Sequence, residues 1–145
     1  MENVCFLSKY IMGYIRYGDI AKRELLDGKK QGHYMWFIFP QIQGLGFSAT
    51  SEYYALEDLE QAETFYEHEY LGKNLVEMFK IVNKMKNYNK VLDCFGDVDT
   101  LKLRSCATLF YLATGKRVFK KTIKKFFNAK LCEKTEKIVE KLRKN

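Results

Sequence analysis

With 145 residues, of which 47% are hydrophobic and 30% charged, the chain is long enough to bury one hydrophobic core. Nine glycines, one proline and no stretch rich in Gly, Pro or Ser exclude a long flexible linker, so we expect residues 1–145 to form one domain. The net charge of +7 is unevenly distributed along the chain. Residues 1–115 carry 13 basic and 15 acidic side chains (13 − 15 = −2), whereas residues 116–145 carry 12 basic and 3 acidic side chains (12 − 3 = +9).

The first part of the chain predicts short helices. Apolar residues between positions 6 and 15 recur at helical spacing, and we expect Gly18 to interrupt this helix. A second helix is expected to begin at Asp19 and to end near Gly28. The segment MWFIF (residues 35–39) has the composition of a strand, but so short a run fits a buried helical turn equally well.

The second part predicts longer helices. Asp58 is expected to cap a helix, and a stripe with helical period follows it: Leu71, Leu75, Met78, Phe79, Val82 and Met85. A shorter element ends before Gly96, a helix ends at Gly115, and two basic amphipathic helices follow in residues 116–145. The pattern predicts an all-α single domain of about seven short helices packed orthogonally around one core, with an irregular aromatic segment at residues 33–48.

Cysteine spacing and hydropathy set further expectations. The four cysteines lie far apart and form no paired motif with the two histidines, so we expect reduced thiols, no metal site and no cofactor. The chain has no run of about 18 uncharged apolar residues and no signal-peptide pattern. We therefore expect a cytoplasmic protein without a membrane partner.

Residues 29–48 (KKQGHYMWFIFPQIQGLGFS) concentrate groups that bind ligands. Trp36 offers a stacking face, His33 offers an imidazole that can act as an acid or a base, and Gly44 and Gly46 permit positive φ or close approach of the backbone to a ligand. The alternative is that the aromatic residues fill the core and the glycines turn the chain.

Three blocks of the sequence resemble a known family. The blocks GHYMWFIFPQIQGLGFSATSEYYAL, HEYLGKNLVEM and GDVDTLKLRSCATLF resemble motifs of the domain-of-unknown-function 1810 family, which includes mycobacterial all-helical hypothetical proteins. The resemblance covers roughly residues 18–130. It implies an arrangement of short helices and no established activity.

A shorter resemblance concerns chemistry. TSEYYAL (residues 50–56) is similar to the Thr-x-Glu-His-aromatic stretch of the NADAR superfamily, which is linked to ADP-ribose and N-glycosidic bonds; Glu52 matches its glutamate, and Tyr53 replaces its histidine. A carboxylate can stabilise the cationic sugar formed when such a bond breaks. Glu52 and His33 are therefore the candidate catalytic residues, although Glu52 equally fits an exposed carboxylate in the first turn of a helix.

The candidate ligand-binding residues combine aromatic stacking, backbone approach and positive charge. They are Lys29, Trp36, Phe39, Gln41, Gly44, Gly46, Ser48, Tyr54, Lys102, Arg104, Ser105 and Thr108. The alternative for Lys102 and Arg104 is that they are surface residues whose charged ends extend from a helix into solvent.

We expect a pocket that recognises a nucleotide or an ADP-ribose-like ligand, with hydrolysis of an N-glycosidic or ADP-ribosyl bond as the predicted chemistry. One alternative is a non-catalytic module that binds nucleic acid or an acidic protein partner through the basic helices in residues 116–145. The lysines of these helices fit a solvated helix face equally well. Another is a protein-binding scaffold, which an exposed aromatic patch on MWFIF would indicate.

Overall fold

The computed structural model describes residues 5–144, which form an all-α domain. A 3₁₀ turn at Cys5–Leu7 precedes eight α-helices: α1 (Ser8–Leu26), α2 (Met35–Ile38), α3 (Ala49–Tyr53), α4 (Leu59–Glu67), α5 (Glu69–Asn83), α6 (Tyr88–Thr114), α7 (Arg117–Phe126) and α8 (Glu133–Lys144). The described residues contain no strand; one parallel bridge joins Ile42 to Leu56. The prediction of an all-α domain is confirmed.

Helix α1 is continuous, so the predicted interruption at Gly18 is wrong. Gly18 is buried, and the Tyr14 ring lies 3.6 Å from the place where a Cβ would be. Tyr14, Ala21 and Leu25 bury one face of the helix in the core. A glycine within a helix costs about 1 kcal/mol, and packing of this buried face offsets that cost. The predicted helix end is confirmed, because Gly28 follows α1 with φ +76°.

The MWFIF segment forms the single-turn helix α2 and belongs to the core. Met35, Phe37, Ile38 and Phe39 are buried, and Trp36 is half-buried. The exposed aromatic patch that a protein-binding scaffold would need is therefore absent from this segment, all of which is described.

Two tyrosine hydroxyls of α1 anchor the irregular backbone around α2 and α3. Tyr14 donates to the Ile38 carbonyl at 2.5 Å, and Tyr10 donates to the Tyr54 carbonyl at 2.5 Å. These bonds satisfy carbonyls that no helix or sheet pairs. Burial raises the pKa of both tyrosines, so that they stay protonated donors.

Side-chain caps begin α4 and α5. The predicted cap Asp58 is confirmed, because its Oδ1 accepts from the Gln61 N–H at 2.8 Å. His68 Nδ1 accepts from the Leu71 N–H at 3.2 Å and begins α5. The predicted stripe of α5 is buried as far as Val82.

Gly96 bends α6 into two helical parts. Its φ of 81° and ψ of 172° are not helical. This agrees with the prediction that a shorter element ends before Gly96. The second part continues to the left-handed Gly115, the predicted helix end. The bend carries residues 98–105 past the aromatic segment, where they form part of the site described below.

A cluster of aromatic rings joins the helices into one core. Phe119 of α7 packs edge-on against Phe79 of α5 at 5.0 Å between ring centroids, and its ring is tilted against that of Phe110 of α6 at 5.6 Å. Phe39 packs edge-on against Phe79 at 5.4 Å. Such ring pairs add to the stabilisation that burial alone provides. Within residues 5–144, no helix is both long and apolar enough to cross a membrane.

Candidate functional site

A cavity of about 430 Å³ lies where the aromatic segment, α6 and the start of α8 meet. Its wall comes from residues between positions 36 and 55, between 98 and 105, and between 132 and 134. The volume falls within the roughly 300–1,000 Å³ that small-molecule sites occupy. Because the three segments are distant in sequence, only the folded chain forms this cavity.

Trp36 and Lys102 form a cation–π pair in the wall of the cavity. Lys102 Nζ lies 3.7 Å from the centroid of the Trp36 ring and 3.6 Å from Asp99 Oδ1. Asp99 Oδ2 makes a closer ion pair with Lys30 Nζ, at 2.8 Å, and the Lys30 side chain is only 5% exposed. Asp99 therefore fixes Lys30 tightly and holds Lys102 only loosely.

A carboxylate of α1 holds the loop that leads to Trp36. Glu24 Oε1 accepts from the N–H groups of Gln31 at 2.8 Å and Gly32 at 3.1 Å. It also accepts from the Tyr34 hydroxyl at 2.7 Å. Desolvation acts to raise the pKa of Glu24, but these hydrogen bonds outweigh it, and the pKa lies below its ordinary value. The loop is thus anchored by the charged form of Glu24.

Gln41 joins the aromatic segment to α6. Its side chain is 6% exposed, and Nε2 donates to the carbonyls of Phe39 at 2.9 Å and Lys102 at 2.8 Å. The backbone N–H of Gln43 donates to the Leu56 carbonyl at 2.8 Å. Hydrogen bonds therefore fix this part of the wall on two sides.

The two glycines of the wall have different steric roles. Gly44 has φ +104°, a conformation that favours glycine and one of the two roles that the sequence left open for these glycines. Gly46 lies so close to α3 that a Cβ would be 2.7 Å from Ser51 Oγ. A larger side chain at either position would disturb the wall.

Exposed apolar side chains also line the cavity. Val98 and Leu101 on α6 are 65% and 60% exposed. Leu45 lines the cavity from the aromatic segment. The cavity therefore offers apolar contacts beside the charge of Lys102.

Arg104 and Thr108 attach the start of α8 to α6. Arg104 Nε donates to the Lys130 carbonyl at 2.9 Å, and Nη2 donates to the Leu131 carbonyl at 3.2 Å. The buried Thr108 hydroxyl accepts from the Cys132 N–H at 2.8 Å. Arg104 thus lines the cavity and also holds the loop that closes it.

Cys132 places a thiol in the wall, and sequence reasoning did not assign it to the site. The Ser105 hydroxyl lies 3.2 Å from its Sγ and 3.1 Å from the Leu101 carbonyl, and it donates its one proton to either acceptor. Burial acts to raise the pKa of this thiol, but the Ser105 hydroxyl and the polar groups of Lys134 and Thr135 in the first turn of α8 outweigh it. The pKa of Cys132 therefore lies below its ordinary value, which increases the reactive thiolate fraction.

One signal in the sequence pointed to Cys132: it directly precedes the polar start of a helix, where N–H groups stabilise an anion. Its side-chain partner Ser105 lies 27 residues away, and only the fold shows that contact.

The charged groups of the wall favour an anionic ligand. Three basic residues and one acidic residue line it, a sum of 3 − 1 = +2: Lys102, Arg104, Lys134 and Glu133. Glu133 Oε1 also pairs with Lys137 at 3.0 Å, which partly neutralises its charge. A cavity with a positive wall attracts anions and raises their local concentration.

The structure brings together seven of the predicted ligand-binding residues at this wall: Trp36, Gln41, Gly44, Gly46, Lys102, Arg104 and Ser105. Phe39 and Thr108 are fully buried outside it. Lys29 and Ser48 are exposed, and the Tyr54 ring packs against Phe37 at 5.2 Å between centroids. These five do not line the cavity.

The two candidate catalytic residues also lie outside the cavity wall. Glu52 and His33 are both exposed. Their catalytic role stays a prediction. Across residues 5–144, no group of three His, Cys, Asp or Glu side chains is placed to hold a metal ion.

Fold and site together define a small all-α protein with one cavity that combines an aromatic–cation pair and a positive wall. A family model described as "Protein of unknown function (DUF1810)" matches residues 6–139, and the chain belongs to this family. The predicted family resemblance is confirmed, and the match extends beyond the expected residues 18–130 at both ends.

A solved structure shares this fold. The crystal structure of the conserved hypothetical protein Rv1873 from Mycobacterium tuberculosis is similar, with a TM-score of 0.87 and 31% sequence identity. The similarity covers 92% of this chain and 96% of that one. Among curated proteins, none matches the chain.

Proposed function

We propose that the cavity binds an anionic, nucleotide-like small molecule. The observation that carries this proposal is the pairing of Trp36 with Lys102, at 3.7 Å, in the wall of a cavity with net positive charge. An indole ring is a stacking face for a base, and a lysine forms a charge-assisted hydrogen bond with phosphate. A nucleotide carries both groups.

The long distance between Lys102 and Asp99 supports a specific step in binding, in which Lys102 moves from Asp99 to the ligand. Its 3.6 Å distance to Asp99 is longer than a direct charged hydrogen bond, which measures about 2.7–2.9 Å. A phosphate in the cavity therefore offers Lys102 a better partner. When Lys102 turns toward it, the Trp36 ring is uncovered for the base.

The remaining wall matches the rest of such a ligand. Val98 and Leu101 offer apolar contacts for a base or ribose. Arg104 and Lys134 add positive charge for further phosphate oxygens. The ADP-ribose-like ligand predicted from the sequence is one member of this class.

Binding is better supported than hydrolysis. Cleavage of an N-glycosidic bond needs a carboxylate beside the cationic sugar. Glu52, the predicted carboxylate, does not line the cavity, and Glu133, which does, pairs with Lys137. Hydrolysis of an N-glycosidic or ADP-ribosyl bond therefore stays a prediction that is separate from binding.

Fluorescence of Trp36 tests the proposal, because it is the only tryptophan of the chain. AMP, ADP-ribose and NAD are titrated up to millimolar concentration, and at least one is expected to change the emission saturably. Lys102→Met should weaken that binding by roughly 10- to 100-fold, the effect of losing a charge-assisted hydrogen bond. Lys29→Met, at an exposed position outside the cavity, removes the same charge and should leave binding unchanged.

Two results would contradict the proposal. One is that none of the three ligands alters either the emission or the melting temperature of the protein. The other is that Lys102→Met and Lys29→Met weaken binding equally, which would mean that net charge and not the cavity attracts the ligand.

A further inference from the structure

A groove of about 840 Å³, which shares no lining residue with the cavity, is surrounded by cations. Lys80 and Lys84 lie on one side, at the end of α5. Helix α7 contributes five more: Arg117, Lys120, Lys121, Lys124 and Lys125. Among the described residues, no acidic side chain lines this groove.

The groove holds a large share of the basic residues of the chain. With 25 basic and 18 acidic residues, the net charge is 25 − 18 = +7, and seven cations line the groove. The remaining 18 basic and 18 acidic side chains cancel. The groove therefore carries as many positive charges as the net charge of the whole chain, with no acidic side chain in its lining.

The cations of the groove are little neutralised within the described residues; Lys80, after Lys22 and Lys73, helps to lower the pKa of the Glu77 carboxyl. Within the described part of the chain, none of the seven takes part in an ion pair, whereas Lys137 and Lys144 of α8 pair with Glu133 and Glu140. Lys125 is engaged differently, since its Nζ donates to the Asn83 carbonyl at 2.8 Å. The structure thus divides the basic C-terminal region: α7 faces the groove, and α8 carries part of its own counter-charge.

Buried hydrogen bonds fix the two walls of the groove relative to each other. Asn83, the last residue of α5, donates from Nδ2 to the Val118 carbonyl of α7 at 3.0 Å. Its Oδ1 accepts from the fully buried Thr122 hydroxyl at 2.7 Å. The lysines of α5 and α7 are therefore held close together before any partner binds.

The positive charges of the groove destabilise helix α7 when no partner is bound. Cations at i and i+4, such as Lys120 and Lys124, repel each other on a helix surface. The first turn of α7 contains no acidic residue, and Arg117 stands at the positive end of the helix dipole. An anionic partner would relieve both effects.

We infer that the groove binds the phosphate backbone of a nucleic-acid duplex without reading its sequence. From Arg117 to Lys125 the helix spans about 12 Å, since each residue adds about 1.5 Å. Over this length a duplex carries about seven phosphate charges, one for each ~1.7 Å of axis. The groove thus offers a charge density comparable to that of a duplex.

The lining of the groove distinguishes a duplex from other anionic partners. Single strands bind proteins largely by stacking their bases on aromatic side chains, and no aromatic residue within the described chain lines the groove. Membrane surfaces are flat, and stable binding to them adds buried apolar side chains to charge. Each large hydrophobic residue that is exposed in residues 5–144 lies outside this groove. A phosphate backbone needs only the cations.

Fluorescence anisotropy with labelled, mixed-sequence DNA and RNA duplexes tests this inference. We expect binding at low salt, with an affinity that falls steeply as salt rises. Lys121→Gln/Lys124→Gln should weaken binding at least tenfold and lower the slope of log K against log salt by about 1 to 2, because each lost phosphate contact contributes about 0.9. Glutamine and lysine have similar helix propensities, so the fold should be retained.

The control is Lys141→Gln/Arg143→Gln, which removes the same charge from exposed positions of α8. It should leave both affinity and slope nearly unchanged, and Lys80→Gln/Lys84→Gln on the other wall should weaken binding as the α7 variant does. The inference is overturned if neither duplex binds at low salt, or if the α7 and α8 variants lose affinity equally. It is also overturned if a single strand or a phosphatidylserine-containing vesicle binds more tightly than both duplexes.

Discussion

Cys132 differs from the other cysteines in the surroundings of its sulfur. Cys94 and Cys106 are buried, and desolvation raises the pKa of both. Cys132 is partly exposed in the cavity wall, and the Ser105 hydroxyl with the polar groups at the start of α8 outweighs desolvation and lowers its pKa. Two buried thiols should therefore be inert while Cys132 is reactive.

We expect iodoacetamide to alkylate Cys132 at a pH where an ordinary thiol is mostly protonated. Ser105→Ala removes a donor to the thiolate, so the pKa of Cys132 should rise, and the midpoint of its pH–rate profile should move upward. At a pH below this midpoint the variant therefore reacts more slowly than the wild-type protein. Mass spectrometry of the Cys132 peptide after timed alkylation measures the rate.

The exposed Cys5 is the internal control for that measurement. Its profile should be the same in the wild-type protein and in Ser105→Ala. An unchanged or lower midpoint for Cys132 in the variant would show that the Ser105 hydroxyl does not stabilise the thiolate.

Residue types alone indicated part of the site. Trp36 and Lys102 were singled out because one offers a stacking face and the other a charge, but their 3.7 Å contact follows from the bend in α6. The exposed positions of Glu52 and His33 could not be read from their types, because a carboxylate or imidazole occurs equally in clefts and on surfaces.

At the scale of elements, Gly18 and Gly96 show where local reasoning succeeds and fails. Both were expected to interrupt a helix, and only Gly96 does so. Gly18 is surrounded by a buried face of α1, whose packing keeps the helix continuous, and this packing is not visible in the local sequence. Strongly periodic helices such as α5 were predicted correctly because their buried stripe is encoded by spacing alone.

The backbone at Gly96 provides a test at this scale. Its φ of 81° and ψ of 172° lie in a region that is essentially restricted to glycine, and no atom lies within 4 Å of an added Cβ. Gly96→Ala should therefore lower the free energy of unfolding by about 1–3 kcal/mol through backbone strain alone. Urea denaturation followed by circular dichroism measures this change.

Gly115→Ala is the matched comparison. Gly115 also has open space around its Cβ position, but its φ of 69° and ψ of 10° belong to the ordinary left-handed region. Alanine should cost less there, about 1 kcal/mol. Equal losses in the two variants would contradict the assignment of special strain to Gly96.

At the scale of the molecule, the fold separates two features that are adjacent in sequence. The basic region 116–145 was predicted as one unit, yet α7 lines the basic groove, whereas Lys134 at the start of α8 lines the cavity. Periodicity predicted both helices, but the elements that they pack against, α6 for both and also α5 for α7, depend on long-range packing. The all-α class could therefore be read from the sequence, whereas the division of its charge could not.

The most direct test of the central claim is whether a nucleotide occupies the cavity, and Cys132 reports on this because its thiol lies in the wall. A saturating concentration of the nucleotide that changes Trp36 emission should slow alkylation of Cys132 by about tenfold or more, since bound ligands cover most of such a site. Alkylation of Cys5 should be unaffected. If the nucleotide leaves the rate at Cys132 unchanged, or slows both cysteines equally, the ligand does not bind in this cavity and the proposed function is wrong.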